Sequence, residues 1–93
     1  MKNPVVYMLA NKRNGTIYVG VTSNIHKRIY EHRNCAVNSF VRRYGCTRLV
    51  FYESHETMES AILREKQIKN YSRKNKISLI ECVNPQWRDL SNQ

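Results

Sequence analysis

The chain has only three cysteines, an odd number, and no Cys-x-x-Cys pair. Cys35, Cys46 and Cys82 therefore provide no disulfide framework, which suits a reducing compartment, and they read as small core residues. His26, His32 and His55 add no spacing that matches a zinc module, so zinc is set aside. No apolar run approaches the ~20 residues needed to cross a bilayer. Met1-Lys2-Asn3-Pro4 leads directly into strand-like sequence with no signal peptide, so a cytoplasmic protein with no membrane association is expected. Repeats, linkers and low-complexity tracts are absent. The 93 residues, 41% of them hydrophobic, are expected to form one folded domain (1–93, core about 5–90) with a modest interior.

Acidic residues are scarce too. Seven Asp and Glu oppose sixteen Lys and Arg, leaving a net charge of +9. Arg64, Lys66, Lys69, Arg73, Lys74 and Lys76 crowd one stretch in which Glu65 is the only acid. Such a cluster favours a polyanion, of which nucleic acid is the commonest. Lys12 and Arg13 in a turn and Lys27 on a helix extend the basic set. The plainer reading of the cluster is a solubilising helix face. An anionic membrane surface is disfavoured, because the nearby Ile and Leu residues are needed for the core.

Pro4–Ala10 is a β-branched and aromatic run, Asn11–Gly15 a turn cluster ending in Asn-Gly, and Thr16–Val21 strand-like again. Together they predict a β-hairpin. With an even connection, Tyr7 and Tyr18 share a face, and a direct Tyr7–Tyr18 pairing would close the loop around Lys12 and Arg13. Thr22 or Ser23 is placed to cap a helix over Ser23–Arg33. Asn38–Tyr44 reads as a short second helix ended by Gly45. Leu49–Glu53 is a third strand, Thr57 caps a long helix over Met58–Tyr71, and Lys76–Val83 is a last helix ended by Asn84-Pro85. The order β-β-α-α-β-α-α suits a small three-stranded sheet with helices over it, an α/β or α+β sandwich.

On a helical wheel of about 100° per residue, Ile25 and Ile29 mark the buried stripe of the first helix. Arg28 falls about 60° from Ile25 and His32 about 20°, so both aim inward. In the long helix, Met58, Ala61, Ile62 and Ile68 share a face, with Glu65 about 20° from its centre. Inward-facing polar groups are costly unless paired, hydrogen-bonded or bound to metal, and they often mark a site. If both helices cover the same face of the hairpin, Tyr7, Tyr18, Arg28, His32 and Glu65 converge. That set suits phosphodiester hydrolysis. Glu65 is a hard oxygen ligand for Mg²⁺, Arg28 a planar fork for developing phosphate charge, a tyrosine oxygen a proton acceptor and His32 a relay. Each residue also has a plainer reading. Strand tyrosines are often core residues, Arg28 and Glu65 could form a structural ion pair, and a lone His is more often a satisfied interior residue.

The ordered set resembles the GIY-YIG nuclease superfamily, and its short stand-alone bacterial branch in particular. Val5-Val6-Tyr7 stands at the first motif and Tyr18-Val19-Gly20 at the second, with ten residues between the tyrosines. Thr22, Arg28 and His32 follow, Arg64-Glu65-Lys66 matches the metal-binding segment, and Asn84–Leu90 is similar to the end of the short members. Val5 and Val6 depart from the Gly and Ile of the name, at strand positions away from the chemistry. The resemblance implies a three-stranded antiparallel sheet flanked by helices, and an endonuclease acting on DNA with one Mg²⁺ or Mn²⁺ ion. It implies Tyr7 as general base, Tyr18 as orienting partner, Arg28 as transition-state clamp, His32 as proton-transfer aid and Glu65 as metal ligand. Gly20, Thr22 and Asn84 would be supporting residues, Gly20 by permitting a tight backbone turn. No separate DNA-binding domain fits in the chain. Affinity would then rest on phosphate contacts and be nearly blind to sequence, with a monomer as the default. A non-catalytic nucleic-acid-binding module and a protein that docks an acidic partner are the rival readings.

Overall fold

A computed structural model describes residues 3–34 and 43–92, apart from the side chains of His32, Asn34 and Asn92. Strand β1 (Val5–Ala10) leads through a turn into β2 (Ile17–Thr22), then helix α1 (Ile25–Asn34) and strand β3 (Arg48–Ser54). Helices α2 (Met58–Lys69) and α3 (Arg73–Val83) follow, and a single 3-10 turn spans Leu90–Asn92. The strands form one antiparallel sheet in the order β2-β1-β3. The α+β architecture expected from the sequence is thus found. Most of the helix expected at Asn38–Tyr44 lies outside the described residues. Arg43 and Tyr44 are helical, and Gly45 follows with φ +64°.

The hairpin closes with Ala10 opposite Ile17, so six residues connect the strands. Asn11 Oδ1 accepts from the Thr16 amide at 2.9 Å, and Asn14 takes φ 58°, a conformation Asn tolerates well. This register corrects the expected direct tyrosine pairing. Tyr7 lies opposite Gly20, and Tyr18 opposite Leu9. The two tyrosines are diagonal neighbours on one face, because the connection centres on Arg13 and Asn14, one residue beyond the Lys12–Arg13 centre that direct pairing requires.

Alternation along β1 gives the sheet two covered faces. Val6, Met8 and Ala10 join Val19, Val50 and Phe51 against Ala61 and Ile68 of α2, Ile80 of α3 and Trp87. Val5, Tyr7, Leu9 and Leu49 pack with Ile29 of α1 and Cys46 on the other side. The β1–β3 register shifts between Met8 and Leu9, skipping Val50. This bulge turns two successive residues, Val50 and Phe51, into the same core. The helices therefore do not share a face, as the sequence reading supposed. α1 lies on one side and α2 on the other.

α2 buries less than expected. Ala61 and Ile68 are fully buried, whereas Met58 and Ile62 are 39% and 36% exposed. A sheet this narrow offers one seam, and on the wheel Met58 lies about 60° and Ile62 about 100° from Ala61, outside it. α3 starts at Arg73, three residues before the expected Lys76, because Ser72 caps it by accepting from the Asn75 amide at 3.2 Å. After α3 the chain turns at Asn84. Its amide nitrogen donates to the carbonyls of Val50 at 3.0 Å and Arg88 at 2.9 Å, and its Oδ1 accepts from the Arg88 amide. Asp89 Oδ1 accepts from the Leu49 amide. These polar side chains cap backbone groups of β3, an edge strand that would otherwise invite pairing.

Candidate active site

Tyr7 sits in the middle of the central strand and is only 1% exposed. Its ring reaches sideways across β2, over Gly20, and meets Tyr18 with centroids 6.3 Å apart at 46°. Gly20 is a mid-strand residue, not the tight turn expected of it. Its missing side chain is the space that Tyr7 fills.

The surroundings of the Tyr7 hydroxyl bring four elements together. Burial pushes its pKa well above the ordinary tyrosine value. Charge on neighbouring Tyr18 and a hydrogen bond with it act in the same direction, as does the carboxylate of Glu65, whereas the Arg28 guanidinium opposes them. Tyr7 of β1, Tyr18 of β2, Arg28 of α1 and Glu65 of α2 are thus within electrostatic reach of one another. Because α1 and α2 cover opposite faces, these influences reach Tyr7 from both sides of the sheet.

Arg28 is held at the rim, with its side chain 41% exposed and its Nε 3.7 Å from Glu31. Thr22 and Asn24 set the start of its helix. Thr22 Oγ1 accepts from the Asn24 amide at 3.1 Å, and Asn24 Oδ1, rather than Thr22 or Ser23, accepts from the Lys27 amide. The Glu65 side chain is nearly buried, 12% exposed, and one oxygen meets Lys69 Nζ at 2.8 Å. Among the described residues the structural Arg28–Glu65 pair considered from the sequence is not found, since each has a different partner. His32 lies on α1 one turn beyond Arg28.

The roll of α2, and with it the aim of Glu65, is fixed from the opposite flank by a network that the sequence reading missed. Arg64 donates to Glu53 at 3.1 Å and to the Tyr71 hydroxyl at 3.1 Å. His55 braces Glu53 at 2.7 Å and meets Ser60 Oγ at 2.7 Å through its other ring nitrogen. The signal was faint: Glu53 and His55 alternate at the end of a strand, facing a helix that starts with a capped turn. Arg73 donates to the carbonyls of Asn14 and Gly15 at 2.6 and 2.7 Å, pinning the hairpin turn to α3. Of the basic residues expected to contact phosphate, Arg64, Lys69 and Arg73 are therefore engaged within the fold. Lys12, Arg13, Lys27, Lys66 and Lys74 are exposed, and Lys76 is half-buried. Asn84 bonds to backbone carbonyls and an amide, so any support it gives the site passes through β3.

Residues 3–78 match the family model described as the GIY-YIG catalytic domain. The chain belongs to that family. It is similar to a UPF0213 protein of Staphylococcus saprophyticus, 32% identical over 80 residues, covering 86% of this chain and 96% of that one. A UPF0213 protein of Clostridium perfringens is 37% identical over 75 residues, covering 81% of this chain and 80% of the relative. Among solved structures, the solution NMR structure of a UPF0213 protein from Bacillus halodurans matches with a TM-score of 0.59 at 28% identity. That match covers 94% of this chain and 92% of the other. The GIY-YIG family is one of nucleases acting on nucleic acid with a divalent metal. No helix among the described residues is long and apolar enough to cross a membrane.

Proposed function

We propose that this GIY-YIG protein is an endonuclease that hydrolyses DNA phosphodiester bonds with little sequence preference, in the service of repair or genome maintenance. The observation that supports the reading is that Tyr18, Arg28 and Glu65, from three further elements of the fold, all act electrostatically on the hydroxyl of Tyr7.

The donor set fits a hard divalent ion, Mg²⁺ or Mn²⁺. Glu65 is a single carboxylate, and no group of three or more His, Cys, Asp or Glu side chains that could hold a metal occurs among the described residues. Mg²⁺ commonly takes one or two protein carboxylates and keeps its waters. When bound, the ion would supply Lewis acidity toward the phosphate.

The remaining work falls to the chain. Tyr18 orients the attacking water and the phosphate. Tyr7 accepts the water's proton as the phenolate, after giving its own proton to solvent, and the Arg28 charge favours that anionic form against burial. The Arg28 fork, at the solvent rim, clamps the phosphoryl oxygens as charge builds on them. His32 assists proton transfer. Lys12, Arg13, Lys27, Lys74 and Lys76 hold the backbone through contacts that weaken with salt.

The test is incubation with supercoiled, branched and single-stranded DNA, and with RNA, in Mg²⁺ or Mn²⁺ against a chelator. DNA nicking that the chelator stops and that Glu65→Ala abolishes, with DNA retention preserved, is expected. Cleavage that survives Glu65→Ala would overturn the assignment of that residue. DNA retention without cleavage under every condition would leave a binding module.

A further inference from the structure

α2 has a second face that nothing among the described residues covers. Glu59, Ile62, Leu63 and Lys66 follow one another at positions i, i+3, i+4 and i+7, the spacing of a continuous helical stripe. Leu63 is 63% exposed and Ile62 36%, and Met58, at 39%, flanks them. Two large aliphatic side chains thus stand in solvent, with a carboxylate on one end of the stripe and an ammonium on the other.

That arrangement is complementary to itself. When two copies of α2 cross antiparallel about a two-fold axis midway between residues 62 and 63, each Glu59 falls opposite the Lys66 of the other copy. Ile62 then meets Ile62 on one flank, and Leu63 meets Leu63 on the other. This is the reciprocal pattern of an isologous contact. We infer that the outer face of α2 is a homodimer interface, centred on Ile62 and Leu63 and closed at both ends by Glu59–Lys66 pairs between copies. The occupant is a second copy because the charges on the stripe are opposite in sign and equally spaced from its centre. A partner of one charge sign would match only half of it.

The contact is small. One helix crossing buries less than the ~1,200 Å² at the lower end of standard interfaces, and each chain carries a net charge of +9 that opposes association. The free protein is therefore expected to pair weakly, and a polyanion that neutralises the repulsion to raise the paired fraction. The two-fold axis leaves both Glu65 carboxylates on the same side of the pair. Given the proposed function, that places both sites toward one duplex.

Sedimentation velocity on the full chain, at concentrations up to about 1 mM and with or without a short DNA duplex, tests the interface whether or not the protein cleaves. The wild type should show a dimer fraction that grows with concentration. Leu63→Glu should remain monomeric with unchanged circular dichroism and melting temperature. Glu59→Lys and Lys66→Glu should each weaken pairing by roughly fivefold or more, and the double reversal should restore it. General repulsion alone would move the two single variants in opposite directions, because one adds positive charge and the other removes it. A wild type that stays monomeric at about 1 mM both free and on DNA would overturn the inference. So would Leu63→Glu pairing like wild type, or a double reversal no better than the singles.

Discussion

The Tyr7 ring occupies the place where residue 20 would carry a side chain. A β-carbon there would stand 2.6 Å from both Cζ and Oη of Tyr7 and 3.1 Å from Tyr18 Cε2. Tyr7 is buried, so its rigid ring has nowhere to swing. Gly20→Ala should therefore destabilise the protein by about 1–3 kcal/mol, the usual cost of overpacking, and displace the candidate base as well. Urea unfolding measures the first effect and a nicking assay the second. A variant of wild-type stability would show that the ring yields freely.

Tyr7→Phe separates the two roles. It keeps the ring over Gly20 and removes the hydroxyl, so the cost in stability should be that of one hydrogen bond, about 0.5–1.5 kcal/mol. Cleavage should nonetheless fall by a factor of 100 or more, roughly the contribution of a positioned proton acceptor. Equal cleavage by the variant would remove Tyr7 from proton transfer.

These two residues also show how far the chain could be read in advance. Strand alternation and an even connection put both phenols on one face without coordinates, and the helical wheel turned Glu65 inward, whereas Arg28, aimed inward by the same wheel, sits at the solvent rim. The pairing of Tyr7 with Gly20 rather than Tyr18 was not legible, because Asn14-Gly15 marks where a turn is but not which residues pair across it. Nor was the placement of α1 and α2 on opposite faces. Periodicity says which side of a helix is buried, never which side of a sheet it covers. Arg73 looked like part of a charged run, since its task depends on carbonyls nearly sixty residues earlier. Ser72, a good cap directly before that run, was the available sign that a helix began there.

Arg28 should affect turnover and leave stability alone. Its side chain is 41% exposed and its ion pair with Glu31, at 3.7 Å, is loose. Arg28→Ala should change stability by no more than about 0.5 kcal/mol, as surface substitutions generally do. If the guanidinium grips the phosphate chiefly in the transition state, kcat should drop by about 10²–10³ with little change in substrate affinity. Arg28→Lys should rescue little, because an ammonium lacks the planar fork. Equal losses in kcat and affinity would make Arg28 a simple phosphate anchor.

Asn84 should be among the costliest polar residues to replace. It is 5% exposed, its amide nitrogen donates to Val50 and Arg88, and its oxygen accepts from Arg88. Asn84→Ala breaks three hydrogen bonds and strands their partners, at about 1 kcal/mol or more each. In a domain this small, each kcal/mol lowers the melting temperature by roughly 4–8 °C, so calorimetry should register a fall above about 10 °C. Asn84→Asp keeps the shape but loses both donors and should fare little better. A drop of only a few degrees would mean that the tail reaches β3 without this clamp.

Asp89 gives the fold a defined response to acid. Burial alone would raise its carboxyl pKa, but hydrogen bonds from the Ser91 hydroxyl and amide, the charge of Arg33 and the Leu49 amide together hold it below the ordinary value of 3.8. Its Oδ2 lies 2.6 Å from Arg33 Nη2, joining the end of the chain to α1. A carboxylate whose pKa is lower in the folded state stabilises that state fully above its unfolded pKa, and the contribution is lost as pH falls through the folded value. Stability should therefore decline below about pH 4 through this group, since the unfolded chain binds the proton first. Asp89→Asn should be less stable than wild type at neutral pH, and the gap should narrow as the pH approaches 2. Urea midpoints measured across that range decide it. A gap that stays constant would assign the loss to the hydrogen bonds and not to the charge.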